Sequence, residues 1–139
     1  MKKLLSMLLF MVGLFALTGC FALKSTANAT VETTDTVVAI AVIDSDDAST
    51  LLSLMNTLQE EGKLTFTADA TGMVTSINGK SNAADWSACW MLFTSDSEMS
   101  NAEWGTMEWK GETYGSAVVG ASALCVEADE TYVWVYQSF

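Results

Sequence analysis

The chain of 139 residues contains no histidine, no arginine and no proline. Histidine is the side chain that most often acts as a general base near neutral pH, so its absence removes the commonest acid–base catalyst. No serine stands in the Gly-x-Ser-x-Gly sequence of hydrolases. The paired carboxylates Asp46 with Asp47 and Asp129 with Glu130 lie in predicted turns, where acids are normally solvated. We therefore expect a protein that is not an enzyme.

Basic residues are also scarce, because only six lysines stand against 17 acidic residues, for a net charge of −11. Such a surface repels nucleic acid and anionic lipid headgroups, so we expect no nucleic-acid partner. A calcium loop starting at Asp44 would need glycine and glutamate where the chain has Ser49 and Met55. Without histidine, two thiolates would need carboxylates at a spacing that the chain does not show. We expect no metal and no resident cofactor.

The N-terminus has the organisation of a secretory signal peptide. Two lysines open it, an apolar run occupies residues 4–17, and small residues precede Cys20. The sequence Leu17-Thr18-Gly19-Cys20 resembles the lipobox of bacterial lipoproteins, which implies cleavage before Cys20 and lipidation of that residue. The alternative is an ordinary signal peptide with an incidental cysteine. We expect residues 1–19 to be a lipoprotein signal peptide and the protein to be extracytoplasmic, anchored to a bacterial membrane.

Removal of the signal peptide would take away two of the six lysines and none of the acids. Four lysines would then face 17 acids, a net charge of −13. Membrane contact would have to come from the lipid on Cys20 rather than from a basic surface, and stable anchoring needs more than one acyl chain. Residues 20–35 are rich in alanine, threonine, serine and asparagine, which predicts a lipidated, flexible tether.

Residues 36–139 are expected to form one α+β domain. A helix is predicted over residues 50–61, with Asp47 or Ser49 as its N-cap. One face of that helix has the i, i+3, i+4, i+7 apolar spacing, formed by Leu51, Leu54, Met55 and Leu58. Strands are predicted at residues 36–43, 64–68, 73–77, 88–94, 122–126 and 131–137. This order indicates one helix packed on a small mixed β-sheet.

Two features leave alternatives open. Residues 104–120 interleave glycines with aromatic residues, which is typical of a ligand-facing flap or of an irregular edge. Cys89 and Cys125 form an even pair in an exported chain, which favours a disulfide, with two buried free thiols as the alternative. Closing that loop would contribute on the order of 4 kcal/mol to stability.

Aromatic residues are the remaining candidates for ligand contact, and the chain has five tryptophans. Tryptophan serves both protein cores and flat apolar ligands. Trp134 and Trp90 are predicted in the middle of strands, where core packing is the first expectation. For the others, in polar or glycine-rich segments, core packing and an exposed platform are both open. The candidate ligand-binding residues are Trp86, Trp90, Trp104 and Trp109.

Three stretches resemble the bacterial domain family of unknown function DUF4430. They are Ser76-Ile77-Asn78-Gly79, Trp90-Met91-Leu92-Phe93 and Asp129-Glu130-Thr131-Tyr132-Val133-Trp134-Val135-Tyr136. That family is related to the C-terminal domain of the transcobalamin and intrinsic factor proteins. The resemblance implies a compact, β-grasp-like domain over residues 36–139, displayed on a bacterial surface. It also implies a corrinoid such as cobalamin as a possible ligand, although this chain lacks the helical domain that completes the carriers' site.

Two functions follow as hypotheses. The first is a non-catalytic, lipid-anchored ligand-binding module for a corrinoid or another flat apolar molecule. The second is a cell-surface protein-interaction or adhesion module, in which edge strands or the glycine-rich segment contact a partner protein.

Overall fold

The computed structural model describes residues 27–45 and 49–139. The predicted signal peptide, the lipidation site Cys20 and the first part of the tether lie outside the described residues. In chain order the elements are β1 (Asn28–Thr33), β2 (Val37–Asp44), α1 (Leu51–Glu60), β3 (Phe66–Ala68), β4 (Val74–Ile77), β5 (Lys80–Ser81), β6 (Ala88–Thr94), β7 (Ser100–Trp109), β8 (Glu112–Ala117) and β9 (Thr131–Ser138).

The strands form two sheets. The larger has six strands in the order β1-β2-β9-β6-β8-β7, and the smaller has three in the order β3-β4-β5. Every strand pairing is antiparallel. The α+β prediction is confirmed at this level, but the prediction of a mixed sheet is wrong. The segment at residues 122–126 is also not a strand, since it contributes a single bridge between Thr50 and Cys125.

Strand β1 lies within the segment that was predicted to be a tether. It pairs along β2, with Ala29 opposite Val42 and Val31 opposite Ile40. Ala29 is buried and Val31 packs against the core, whereas the intervening residues are exposed. The predicted boundary at Asp35 is therefore too late, because a half-buried edge strand needs only two small apolar residues on its inner face.

Helix α1 begins at a capping box and lies against the large sheet. Thr50 is the N-cap, and its hydroxyl accepts from Ser53 N while the Ser53 hydroxyl accepts from Thr50 N. Thr50 thus takes the role predicted for Ser49 or Asp47, the latter of which lies outside the described residues. The predicted apolar face is confirmed, since all four of its residues are at most 1% exposed: Leu51, Leu54, Met55 and Leu58.

The face of the large sheet under α1, which we call the first face, carries most of the core. It is formed by alternate residues of the central strands, namely Val38, Ile40, Val42, Trp90, Leu92, Tyr132 and Trp134. The small sheet adds Phe66, Val74 and Ile77. Met91 and Phe93 lie on the opposite face, so β6 presents its tryptophan side to the helix.

The opposite, or second, face is crossed by the end of the β7–β8 hairpin. Residues paired strand to strand form one row across the sheet: Glu32, Ala39, Val133, Phe93 and Ser116. The hairpin from Thr106 to Ser116, which we call the arm, pairs with β6 only at Gly115 and Ser116. Tyr114 of the arm packs in one buried cluster with Ala39, Phe93 and Val133. Met107 and Trp109 contact the same cluster.

The tip of the arm reaches the far edge of the sheet. Lys110, in the turn, forms an ion pair with Glu32 of β1. From Ser116 to Glu32 the row crosses four strand spacings, or roughly 19 Å. The six residues from Lys110 to Ser116 span roughly 20 Å when extended, so the arm is long enough to cross the row. Lys110 and Gly111 have φ of 50° and 81°, as a two-residue type I′ turn requires. The segment for which a ligand-facing flap and an irregular edge were both open is therefore a hairpin that packs on the second face.

Candidate binding cleft

A cleft of about 620 Å³ opens where two turns face each other over the first face. One wall is the β1–β2 turn with Thr33, Thr34 and Asp35. The other is the β4–β5 turn, and the floor includes Ile77 and Trp90. The β1–β2 turn lies in the segment that was predicted to be a tether, so the cleft was not predicted.

Local hydrogen bonds fix both walls. The Thr34 hydroxyl accepts from Val37 N at 3.1 Å and so closes the β1–β2 turn. In the β4–β5 turn, Asn78 and Gly79 have φ of 50° and 81°, the type I′ geometry that Asn-Gly favours. The Asn78 side chain also accepts from Thr65 N at 3.0 Å. Asn78-Gly79 thus forms the turn that this pair of residues favours, and the hydrogen bond ties this wall of the cleft to the residue before β3.

Trp90, the aromatic residue of the floor, is held by a hydrogen bond and by the neighbouring ring of Tyr136. Trp90 is 5% exposed, and its indole N–H donates to Lys80 O at 2.7 Å. Its ring meets Tyr136 edge to face, with centroids 5.3 Å apart. The Lys80 ammonium lies 4.5 Å from the Tyr136 ring centroid, and the Tyr136 hydroxyl donates to Ser81 O. A ligand would therefore meet only a small part of Trp90.

The remaining lining groups are polar. They comprise two threonine hydroxyls, the Asn78 amide, the Asp35 carboxylate on one wall and the Lys80 ammonium on the other. These groups suit hydrogen bonding to a polar or charged edge of a ligand.

The four candidate tryptophans do not share one surface. Trp90 lies buried on the first face, and Trp109 is half-buried on the inner side of the arm, against the second face. Trp86 is 55% exposed in the loop before β6, and Trp104 is 65% exposed near the other end of that strand. The length of β6 separates these two by on the order of 20 Å. Of the four, only Trp90 lines the cleft.

Trp104 lies on a bulge of an edge strand. Asn101 pairs with Ser116, and the next pair of the ladder joins Thr106 to Gly115. Residues 102–105 are thus looped out of the ladder, with the Asn101 side chain accepting from Glu103 N at 2.9 Å. Bulges of this kind aim a side chain away from the sheet. The sequence left core packing and an exposed platform both open for Trp104, and the structure shows it exposed.

Three titratable groups have displaced pKa values, and none of them lines the cleft. Burial raises the pKa of Tyr132 well above its ordinary value, partly offset by a hydrogen bond from Glu127 N. The hydrogen bonds that Ser87 donates lower the pKa of Asp85. The pKa of Asp69 is lowered chiefly by the Thr71 hydroxyl, 2.6 Å away, and then by Met73 N.

The Asp69 shift predicts a pH effect on the β3–β4 turn. A carboxyl whose pKa is lower in the folded state stabilises that state above its unfolded pKa of about 3.9, and this contribution is lost as the pH falls through the folded pKa. We expect the Asp69 carboxyl to titrate below about 3.9 when followed by carbon NMR. Thr71→Val should move the midpoint up, because it removes the largest cause. An unchanged midpoint in that variant would contradict the assignment.

Of the two alternatives for Cys89 and Cys125, the structure shows free thiols and no disulfide. Both are free and half-buried, and the Cys89 thiol contacts the Met91 sulfur at 3.6 Å. Cys89 lies opposite Gln137 of β9, whereas the carbonyl oxygen of Cys125 accepts a hydrogen bond from the hydroxyl of Tyr132 in the same strand. Gln137 and Tyr132 are five residues apart along β9, which separates the two cysteines by on the order of 15 Å. A disulfide needs Cα atoms within about 7 Å.

The reactivity of the two thiols tests whether Cys89 and Cys125 are free. We expect Cys89 and Cys125 both to react with an aromatic disulfide reagent after unfolding without reductant. The double variant Cys89→Ser with Cys125→Ser should unfold at a denaturant concentration close to that of the wild type. A loss on the order of 4 kcal/mol in that variant, together with unreactive thiols in the wild type, would restore the disulfide.

Within residues 27–45 and 49–139, no group of three or more aspartate, glutamate or cysteine side chains is placed to hold a metal. No helix in the same ranges is long and apolar enough to cross a membrane. Comparison of the chain with protein-family models, with curated proteins and with solved structures gave no match. The similarity to DUF4430 therefore stays a prediction from the residues.

Proposed function

We propose that the chain is a non-catalytic, extracytoplasmic binding module, held at a bacterial membrane by lipid on Cys20, that binds a ligand in the cleft. The observation that carries the proposal is the cleft, whose volume of about 620 Å³ falls within the roughly 300–1,000 Å³ of small-molecule sites. Its walls and floor are fixed before binding, which reduces the entropy lost on association.

A corrinoid is the proposed ligand class, in a domain that we assign to the β-grasp-like, DUF4430-like type. The support is the set of DUF4430-like stretches and the chemistry of the rim. A corrin ring is flat and carries amides at its edge, and the hydroxyls of Thr33 and Thr34, the Asp35 carboxylate and the Asn78 amide are suitable partners. A corrinoid is larger than the cleft, so one of its faces would stay uncovered.

Equilibrium dialysis against cobalamin and against hemin tests the proposal. Thr33→Arg puts a long side chain into the cleft and should weaken cobalamin binding about tenfold or more, the equivalent of about 1.4 kcal/mol. Thr113→Arg is the matched control, since Thr113 is also an exposed strand threonine but lies on the outer side of the arm. Equal weakening by both variants, or no binding by the wild type, would reject the cleft as a corrinoid site.

The anchor has its own test. Cys20→Ala should move the protein from the membrane fraction to the soluble fraction, because the acidic surface offers no other attachment. Retention of the variant in membranes would show that something other than the lipid holds it.

The second candidate function is protein interaction or adhesion at the cell surface, favoured by Trp104. An exposed tryptophan on the bulge of an edge strand is a common type of contact residue. A photo-crosslinking residue in place of Trp104 should capture a partner at the membrane, and the same residue in place of Trp86, the other exposed tryptophan, should not. Equal labelling at both positions would argue against a specific interface.

A further inference from the structure

The polar groups that line the cleft offer a ligand donors more than acceptors. The Thr34 hydroxyl oxygen accepts from Val37 N at 3.1 Å and from Thr36 N at 3.4 Å, so its proton remains to be donated. The Asn78 amide oxygen accepts from Thr65 N at 3.0 Å, which leaves the NH2 group of that amide for a ligand. The turns of both walls thus already use the acceptor side of these two groups.

Lys80 adds a positive charge that no acid in the described part of the chain neutralises. The other two lysines of residues 27–45 and 49–139 form ion pairs with acids of the chain. Lys80 has no such carboxylate among these residues, and its ammonium lies 4.5 Å from the Tyr136 ring centroid instead. A cation–π contact leaves the charge in place. In a chain with 17 acids and six lysines, this lysine at the wall of the cleft is therefore available to an anionic group of a ligand.

The one acidic residue of the lining, Asp35, opposes an anion less than Lys80 favours it. Asp35 is exposed, whereas Lys80 is half-buried on the facing wall. Water and salt screen an exposed charge more than a partly buried one. The acidic surface outside the cleft repels free anions, so an anion is held here as part of a ligand that fills the cleft.

We propose that the ligand of the cleft carries an anionic phosphate-type group, which Lys80 binds together with the donors of Asn78 and Thr34. This inference rests on the function proposed for the cleft and adds to it the charge that the ligand must carry. Hydrogen bonds between an ammonium and a phosphate are roughly twice as strong as neutral ones. Lys80 therefore determines which of several ligands with the same ring system is retained. Among corrinoids, cobalamin has a phosphodiester in its nucleotide loop, whereas cobinamide lacks the loop.

Equilibrium dialysis of the intact chain against cobalamin and cobinamide tests the proposal. The two ligands share the corrin ring and its amides and differ in the nucleotide loop. We expect the wild type to bind cobalamin about fivefold or more tightly than cobinamide. Lys80→Met keeps an unbranched side chain without the charge, and it should weaken cobalamin binding to the level of cobinamide while leaving cobinamide binding unchanged. Lys63→Met is the control, because Lys63 lies outside the cleft, and it should change neither.

Asp35→Asn removes the negative charge of the facing wall and should tighten cobalamin binding about twofold, the opposite direction to Lys80→Met. If the wild type binds neither corrinoid, the function proposed for the cleft fails and this inference fails with it. If the wild type binds both equally, the cleft keeps its function and only this inference fails. Both of these outcomes are read on the wild type, so they do not depend on folding of a variant. Equal weakening of both corrinoids by Lys80→Met would also overturn the inference, because the lysine would then act on the shape of the cleft.

Discussion

Tyr114→Ala should lower the free energy of unfolding by about 3 kcal/mol or more, as aromatic-to-alanine changes in cores do. Tyr114 is 6% exposed because the arm presses it onto Ala39, Phe93 and Val133. Small domains are stable by about 5–15 kcal/mol, so this is a large fraction of the total. Urea unfolding measures the loss, and stronger binding of a hydrophobic dye to the native variant would report the exposed second face.

Two variants of the same arm serve as controls. Thr113→Ala changes the neighbouring residue, which points outward and is exposed, and should cost little. Lys110→Ala removes the ion pair with Glu32. The side chains of Lys110 and Glu32 are 60% and 54% exposed, so the variant should lower the free energy of unfolding by about 1 kcal/mol or less. If Tyr114→Ala cost no more than these two, the arm would contribute little and the second face would be open in solution.

Gly72→Ala should lower the free energy of unfolding by about 2–5 kcal/mol, for two reasons that add. Gly72 has φ of 85°, a conformation that costs a residue with a Cβ roughly 1–2 kcal/mol. A Cβ at Gly72 would also lie 2.7 Å from the Ser122 Cβ, so the turn and the 120–122 segment would have to separate, and overpacking of this kind costs about 1–3 kcal/mol. Denaturant unfolding again gives the value.

Gly62→Ala separates the two causes. Gly62 has φ of 75°, but a Cβ there meets no atom within 4 Å, so this variant should show the conformational cost alone. Adding Ser122→Gly to Gly72→Ala removes the clash and should recover the difference between the two variants. Equal losses for Gly72→Ala and Gly62→Ala would show that the turn moves away freely.

The elements with strong periodicity were predictable from the sequence. Helix α1 was predicted because four apolar residues share one face, and those residues are the most deeply buried in it. The strand predicted at residues 131–137 is β9, and its alternating residues lie on opposite faces, with Tyr132 and Trp134 on one and Val133 on the other. In each case a single local pattern fixes both the element and its buried side.

The missed elements lack such a pattern. Strand β1 buries only Ala29 fully, so its composition is that of a solvated segment. The arm has an inner face of Met107, Trp109 and Tyr114, but β7 loses its register at the bulge, which interrupts the alternation in the sequence. The antiparallel order of the sheet depends on pairings between distant segments, which no local pattern encodes.

The sites were less predictable than the fold for the same reason. Tryptophan content pointed to ligand contacts, yet the cleft gathers turn residues more than 40 positions apart, such as Asp35 and Asn78. Trp134 was correctly expected in the core. The position of the Lys80 ammonium at the wall of the cleft results from what surrounds it in three dimensions, and the sequence around Lys80 gives no sign of this.

The position of β9 has a consequence for the order of folding. The last strand of the chain lies between β2 and β6, so Val37 pairs with Val135 near the C-terminus. Until β9 is present, the β1–β2 pair and the β6–β8–β7 part have no strand that joins them. Pairings between distant segments form slowly, because a long loop must close first. A chain exported before it folds would therefore remain open, and accessible to a translocation channel, until its final residues had passed.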